Sequence, residues 1–244
     1  MKSHRSMLWF ATAFLIFAFA AIVRGETNVT VRFGDGVYQV PIPAGFEVAP
    51  PQADQFRRML AAGMGTNAQA LLVLVTHEDA QQFRAGKEFL CKRALILSGA
   101  HGALERIKTD AQFAQMKSFA LKQQADLLGR LRANEKKMEA TINEAVKRET
   151  DVNAGITVGN STVYPVHDQS PRHWAVSMSI TQQLPNETGQ GERLVNITTQ
   201  SYVFFRPKVL QLTAAGGEGD LAWTRQAAKE WTAQVSAANP LRSQ

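Results

Sequence analysis

From Thr109 to Thr150 the chain contains no proline and a single glycine, Gly129. No other feature constrains the fold as strongly. Alanine, leucine, glutamine, lysine and glutamate dominate the stretch, and all are good helix formers. Thr109 followed by Gln112 fits a capping box, in which hydroxyl and amide each satisfy a backbone N–H that the first helical turn leaves free. Met116, Ala120, Leu127, Leu128, Leu131, Met138, Ile142 and Ala145 recur mostly at threes and fours, the repeat of one helix face. Some forty residues at about 1.5 Å each would reach about 60 Å, more than the width of a domain of this size. Either the helix breaks and folds back, with a kink expected near Gly129, or part of it projects.

A projecting helix would be an arm. Leu128, Leu131, Glu135, Met138, Ile142 and Ala145 approximate a coiled-coil seam that Glu135 interrupts. Leu128, Leu131, Met138 and Ile142 are therefore the candidate partner-binding face, for self-association or for another protein. The competing expectation is a helix lying across its own sheet with its charged face in solvent. Arg130, Arg132, Lys136 and Lys137 alternate with Glu135, Glu139 and Glu144, which suits intrahelical pairing and argues against a nucleic-acid or membrane-surface role.

The flanking segments read mainly as strands. Val29, Val31 and Phe33 alternate with polar residues, as do Tyr38, Val40 and Ile42, so residues 26–34 and 37–43 form a hairpin, with Asp35-Gly36 as its expected turn. Pro41 and Pro43 limit further pairing, and Gly45 lets the chain leave the sheet. Residues 51–62 read as a helix with Phe56, Met59 and Leu60 on one face and Gly63 at its end. The apolar run 68–75 is a buried central strand. Thr76 with Asp79 caps a short helix over 77–84, and 89–97 is another strand. Beyond the long helix, Trp174, Val176, Met178 and Ile180 alternate strictly with Ala175, Ser177, Ser179 and Thr181. Further strands run through Val195 to Phe205 and through 209–213, joined by short turns, an antiparallel meander. Asp220 caps a last helix whose face carries Leu221, Trp223, Ala227, Ala228, Trp231 and Val235, and Asn239-Pro240 ends it. The expected fold class is α+β: an antiparallel sheet covered by the C-terminal helix, with a long central helical insertion at about 105–150, in one domain spanning 26–244.

The first 25 residues differ from the rest. Lys2, His4 and Arg5 precede an uncharged run from Met7 to Val23, and small residues follow. This is the layout of a secretory signal peptide, so 1–25 is expected to be removed and the mature protein to be periplasmic or secreted. The alternative is an uncleaved leader anchoring the protein in the inner membrane, although the run is short for a span. Removing Lys2, Arg5 and Arg24 from the formal +6 leaves a mature charge of about +3, too small to suggest nucleic-acid binding. The chain has a single cysteine, Cys91, so no intrachain disulfide can form. An exported chain of this length without disulfides suits a bacterial periplasm. Cys91 reads as a small buried hydrophobe, with a reactive or dimer-forming thiol as the alternative. Four sequons, at Asn28, Asn160, Asn186 and Asn196, fall mostly in threonine-rich strands, where Asn and Thr are expected in any case.

No metalloprotease, nucleophile-elbow, phosphate-loop or dinucleotide-binding motif occurs. His77 starts a helix. His167, Asp168 and His173 bracket a Ser-Pro turn at 167–173, where converging side chains would suit a metal ion or a general base, and where Asp and Ser are also ordinary turn formers. The expectation is a non-enzyme with no catalytic, metal-binding or cofactor-binding residues; the rival is an envelope hydrolase or metal-binding protein built on this loop.

Three segments together carry a resemblance: Pro41-Ile-Pro-Ala-Gly-Phe46, the meander from Tyr202-Val-Phe-Phe205 to Val209-Leu-Gln-Leu212, and the last helix with Trp223 and Trp231. The chain resembles the PsbP-like fold over its two ends, and residues 77–150 look like an insertion. The resemblance implies an antiparallel sheet flanked by helices and an accessory or binding role; it transfers no site residue. The resulting expectation is a non-catalytic exported accessory module that binds another envelope protein or itself through the central helix.

Overall fold

A computed structural model of the chain describes residues 28–64, 68–87, 91–102, 104–150, 155–184 and 191–240. The expected leader and the Asn186 sequon lie outside these residues, as does part of the strand expected over 89–97. No helix among the described residues is long and apolar enough to cross a membrane.

The architecture is α+β. A seven-stranded, wholly antiparallel sheet has the order β3 (Phe46–Val48), β4 (Ala68–Thr76), β5 (Ala94–Ala100), β9 (Lys208–Gly216), β8 (Glu192–Phe205), β7 (His173–Leu184), β6 (Thr157–Ser170). β1 (Asn28–Phe33) and β2 (Gly36–Pro41) pair only with each other. The helices are α1 (Asp54–Met64), α2 (His77–Arg84), α3 (Asp110–Lys122), α4 (Gln124–Thr150) and α5 (Leu221–Ala238).

Alternation along the strands divides the core between two sheet faces. Leu72, Leu74, Leu95, Leu97, Leu210 and Leu212 point to one face, where Ala228, Trp231 and Val235 of α5 and Val31, Phe33, Tyr38 and Val40 of the hairpin cover them. Val73, Val75 and Ile96 point to the other, toward Ala80 and Phe83 of α2. Further along that second face, Trp174, Phe204 and Val209 meet Phe113 of α3. The C-terminal helix is tied to the N-terminal hairpin by hydrogen bonds as well. Trp231 Nε1 donates to Pro41 O at 3.0 Å, and Asn239 exchanges two bonds with the Gln39 backbone, at 2.8 and 2.7 Å.

Several details correct the sequence-based expectations. The register pairs Phe33 with Gly36, so the turn is Gly34-Asp35, and only Gly34 has positive φ (60°). A turn with positive φ at its first central residue needs glycine there and not second. The hairpin is a separate sheet, and the Pro-Ala-Gly step carries the chain from it to the edge strand β3 of the main sheet. β4 is second from an edge instead of central. α1 continues through Gly63 to Met64, and β5 begins only at Ala94, which leaves Cys91 ahead of the strand.

The long helix does break, but at Gln123 rather than near Gly129. The Gln123 N–H still bonds Phe119 O at 2.9 Å, and a new turn starts as Asp126 N–H bonds Gln123 O at 3.0 Å. Gly129 lies inside α4. Redirected at Gln123, α4 does not extend α3 outward; it packs along β6 and against α1. Among the described residues β6 is an open edge, with backbone groups that no further strand pairs. Side chains of α4 bond them and the residue just ahead of the strand: Glu139 Oε1 accepts from Val158 N–H at 2.8 Å, Gln124 Nε2 donates to Tyr164 O at 2.7 Å, and Asn143 bonds both the N–H and the C=O of Ile156 at 2.7 Å. The insertion thus shields an edge that would otherwise invite pairing with another chain.

Candidate functional site

The segment read as a loop over 167–173 is mostly strand. β6 runs to Ser170 and β7 starts at His173, so only Pro171 and Arg172 turn. An irregularity between Tyr164 and Asp168 re-aims the end of β6. Asp168, Ser170 and His173 are brought together there. His173 Nδ1 lies 2.7 Å from Ser170 Oγ, and its Nε2 lies 3.3 Å from Asp168 Oδ1, although that second contact is not aligned as a hydrogen bond. Ser170 Oγ also accepts the Arg172 N–H at 3.2 Å, and Ser170 O accepts from Lys117 Nζ at 2.6 Å. A cleft of about 390 Å³ opens beside this corner, lined among others by Val203, Phe205, Lys229 and Thr232.

His167 does not join the group. It is exposed, and partial desolvation, then the nearby Arg225 charge, hold its imidazole below the usual pKa. His77 sits 3.2 Å from Glu47, and His101 sits 3.7 Å from Glu105. No group of three or more His, Cys, Asp or Glu side chains among the described residues is placed to hold a metal ion. Cys91 Sγ lies 3.4 Å from Asp79 Oδ2 and 3.3 Å from Arg93 O. Burial, then the Asp79 carboxylate, push its thiol pKa up, which suppresses the thiolate on which nucleophilic chemistry depends.

The proposed partner face of the long helix is also placed. Leu128, Leu131, Met138 and Ile142 are all half-buried, on the same side of α4 as Glu135, Glu139 and Asn143, while Arg132, Lys136, Lys137 and Glu144 are exposed. The stripe therefore looks toward the body of the protein, where α4 meets β6 and α1.

A different part of the insertion presents apolar surface. Phe113 of α3 is fully buried, 5.2 Å from Trp174 and stacked on Phe204 at 5.2 Å, and Trp174 stacks on Tyr202 at 4.8 Å. Met116 and Ala120, three and seven residues on, follow Phe113 onto the same cluster. Phe119 falls off that face and is 56% exposed. It borders a groove of about 280 Å³ whose walls include Leu104, Met116, Val166, Trp174 and Tyr202. The Tyr202 hydroxyl, desolvated by burial and pushed up to about 12, donates to Gln200 at 2.9 Å. The opposite side of α3 borders a second, wider cleft of about 690 Å³, lined by Asp110, Lys117, Leu121, Lys122 and Arg172 among others. Sequence reasoning missed this surface. The available signal was Phe119 itself, an aromatic out of phase with the Phe113, Met116, Ala120 face.

The fold and its surface define a layered α+β protein with two grooves along one helix. No family model matches the chain, and no curated protein matches it. Among solved structures it is similar to the Ran-binding protein Mog1p of Saccharomyces cerevisiae, at 10% identity and a TM-score of 0.34, over 88% of this chain and 93% of that one. A likeness of that extent assigns neither a family nor an activity.

Proposed function

We propose that this chain is a non-catalytic accessory protein, exported to the periplasm or secreted after removal of residues 1–25, that works by binding another envelope protein. One observation carries the reading: Phe119, more than half exposed, stands at the rim of an apolar groove floored by stacked Trp174 and Tyr202. Leaving a large aromatic in water beside an apolar groove forgoes burial worth about 2 kcal/mol, which a partner would recover. The PsbP-like resemblance of the chain ends agrees with an accessory role. The test is a photo-crosslinking residue at position 119 in the native envelope, with Lys137 on the exposed face of α4 as control site. The reading predicts an adduct specific to position 119; equal labelling at both positions contradicts it. Intact mass of the purified mature protein checks the export step, since an uncleaved leader would make it an anchored protein.

A second reading is an envelope hydrolase at the β6–β7 corner, favoured by the 2.7 and 3.3 Å contacts that join Ser170, His173 and Asp168. In it, the Ser170 hydroxyl is the nucleophile, His173 Nδ1 takes its proton, and Asp168 orients the ring. Covalent labelling by a fluorophosphonate, abolished in Ser170→Ala, supports this reading. An unlabelled wild-type protein removes it and leaves Ser170 as the acceptor that closes the turn at Arg172.

A further inference from the structure

Resting on that binding reading, we infer that the partner segment docked on α3 is acidic and amphipathic, with an apolar side chain in the Phe119 groove and carboxylates over Lys117, Lys122 and Arg172. The two clefts flank the same helix and meet at Leu121, which lines both. One is walled mainly by apolar side chains. The other carries three cations, Lys117, Lys122 and Arg172, and a single acid, Asp110.

The charge of Asp110 is already matched within the protein. Arg172 Nη2 lies 3.2 Å from its Oδ2, and the Arg206 guanidinium contacts the same oxygen. Arg206 thereby adds a further cation to this corner. Lys117 gives one of its N–H donors to Ser170 O, at 2.6 Å, and an ammonium has three. Lys122 makes no ion pair among the described residues, and α3 carries no acid besides Asp110. The field over this side of the helix is therefore positive.

That arrangement discriminates among partners. A neutral or basic segment seated in the groove would cover two ammonium groups without compensating them, and desolvating an unpaired charge is costly. An acidic segment offers each a carboxylate. It is also drawn in at long range, with an association rate that falls as salt rises.

The test uses the mature protein and two synthetic fluorescein-labelled peptides, each with two leucines and one phenylalanine, one otherwise glutamate and the other lysine, read by fluorescence anisotropy. The acidic peptide is expected to bind, several-fold more weakly at about 300 mM salt than at about 50 mM. Phe119→Ser, and Lys117→Glu with Lys122→Glu, are each expected to weaken it about tenfold or more, about 1.4 kcal/mol. Lys122→Glu alone, at an ammonium that makes no ion pair among the described residues, serves if the double variant unfolds. Equal binding of both peptides, or none of the acidic one up to about 1 mM, overturns the inference. So does a partner captured at position 119 whose contact segment is basic, an outcome that leaves the binding reading standing. Absence of any capture at position 119 removes both.

Discussion

Asp220 occupies the position expected of it and does something else there. It precedes α5, yet its carboxylate makes no bond to the helix N-terminus. It accepts from Arg93 Nη2 at 2.6 Å and from Gly217 N–H at 3.1 Å instead, and Arg93 lies over the Trp223 ring at 4.5 Å. Trp223 in turn stacks against Phe46 at 6.2 Å. A single carboxylate therefore joins the start of the last helix to the segment before β5. The Arg93 hydrogen bond, first among the causes, holds the Asp220 carboxyl below the usual carboxylate range. A folded-state pKa that is depressed adds stability above the unfolded value, about 3.9, and that contribution is lost as pH falls through the folded pKa. Asp220→Asn is accordingly expected to cost about 1–2 kcal/mol at pH 7, and the deficit should shrink below about pH 4. Urea titrations of both proteins at several pH values measure it; a constant gap from neutral to acid pH goes against the ion-pair explanation.

At the scale of elements, the best-read features were those set by local chemistry. The Thr109–Gln112 capping box forms with both arms, and Thr76 accepts from the Asp79 N–H at 3.1 Å. The break at Gln123 was misplaced because no residue type announces it. Gln123 is a good helix former, and the bend serves the crossing of α3 over Trp174 and Phe204, a tertiary demand. Gly129 by contrast is under no demand: a β-carbon there would meet only Asp126 Oδ1, at 3.6 Å. Gly129→Ala is expected to stabilise the protein by about 0.5–1 kcal/mol, read as a raised denaturation midpoint, whereas a lowered midpoint would mean that the glycine is needed.

The period-two pattern of β7 was also legible, but not its burial on both faces. Ser177 and Ser179 are buried, and Ser177 is tied to α5 by side chains, with Arg225 Nε donating to Ser177 Oγ at 3.3 Å and Thr199 bonding both Ser177 Oγ (2.8 Å) and Thr224 Oγ1 (3.0 Å). Small hydroxyl residues read as solvent-facing in sequence; here Ser177 joins a buried hydrogen-bonded network with Thr199 and Thr224. The guarding of β6 was equally hidden, because it depends on which strand ends at an edge. Asn143→Ala frees both backbone groups of Ile156 and is expected to cost about 1–2 kcal/mol, with faster amide hydrogen exchange at Ile156. Unchanged exchange there would contradict the edge-blocking role of α4.

For the whole molecule, the β1–β2 hairpin and α5 meet as layers on one sheet face. Trp231 reaches Pro41, and Asn239 uses its side-chain amide as a strand would, against Gln39. Trp231→Phe removes the N–H donor, so Pro41 O loses its partner, and leaves part of the buried indole volume unfilled, so stability should fall by about 2 kcal/mol or more, measured by thermal or urea unfolding. No loss would mean that neither this hydrogen bond nor the indole packing holds the hairpin to α5. The candidate sites divide along the same line between local and global. Asp168 and His173 were visible because a hairpin brings near neighbours in sequence together, whereas Ser170 read only as a turn former and His167 does not join them. The α3 surface was not, because its groove exists only where the insertion crosses strands from the far end of the chain. Whether this protein acts, as proposed, by presenting α3 to another protein is tested best by mass spectrometry of adducts formed at position 119 in the cells that make it. The account predicts one dominant protein adduct, joined through an acidic segment and diminished by Lys122→Glu. An adduct pattern matching that at Lys137 would contradict it.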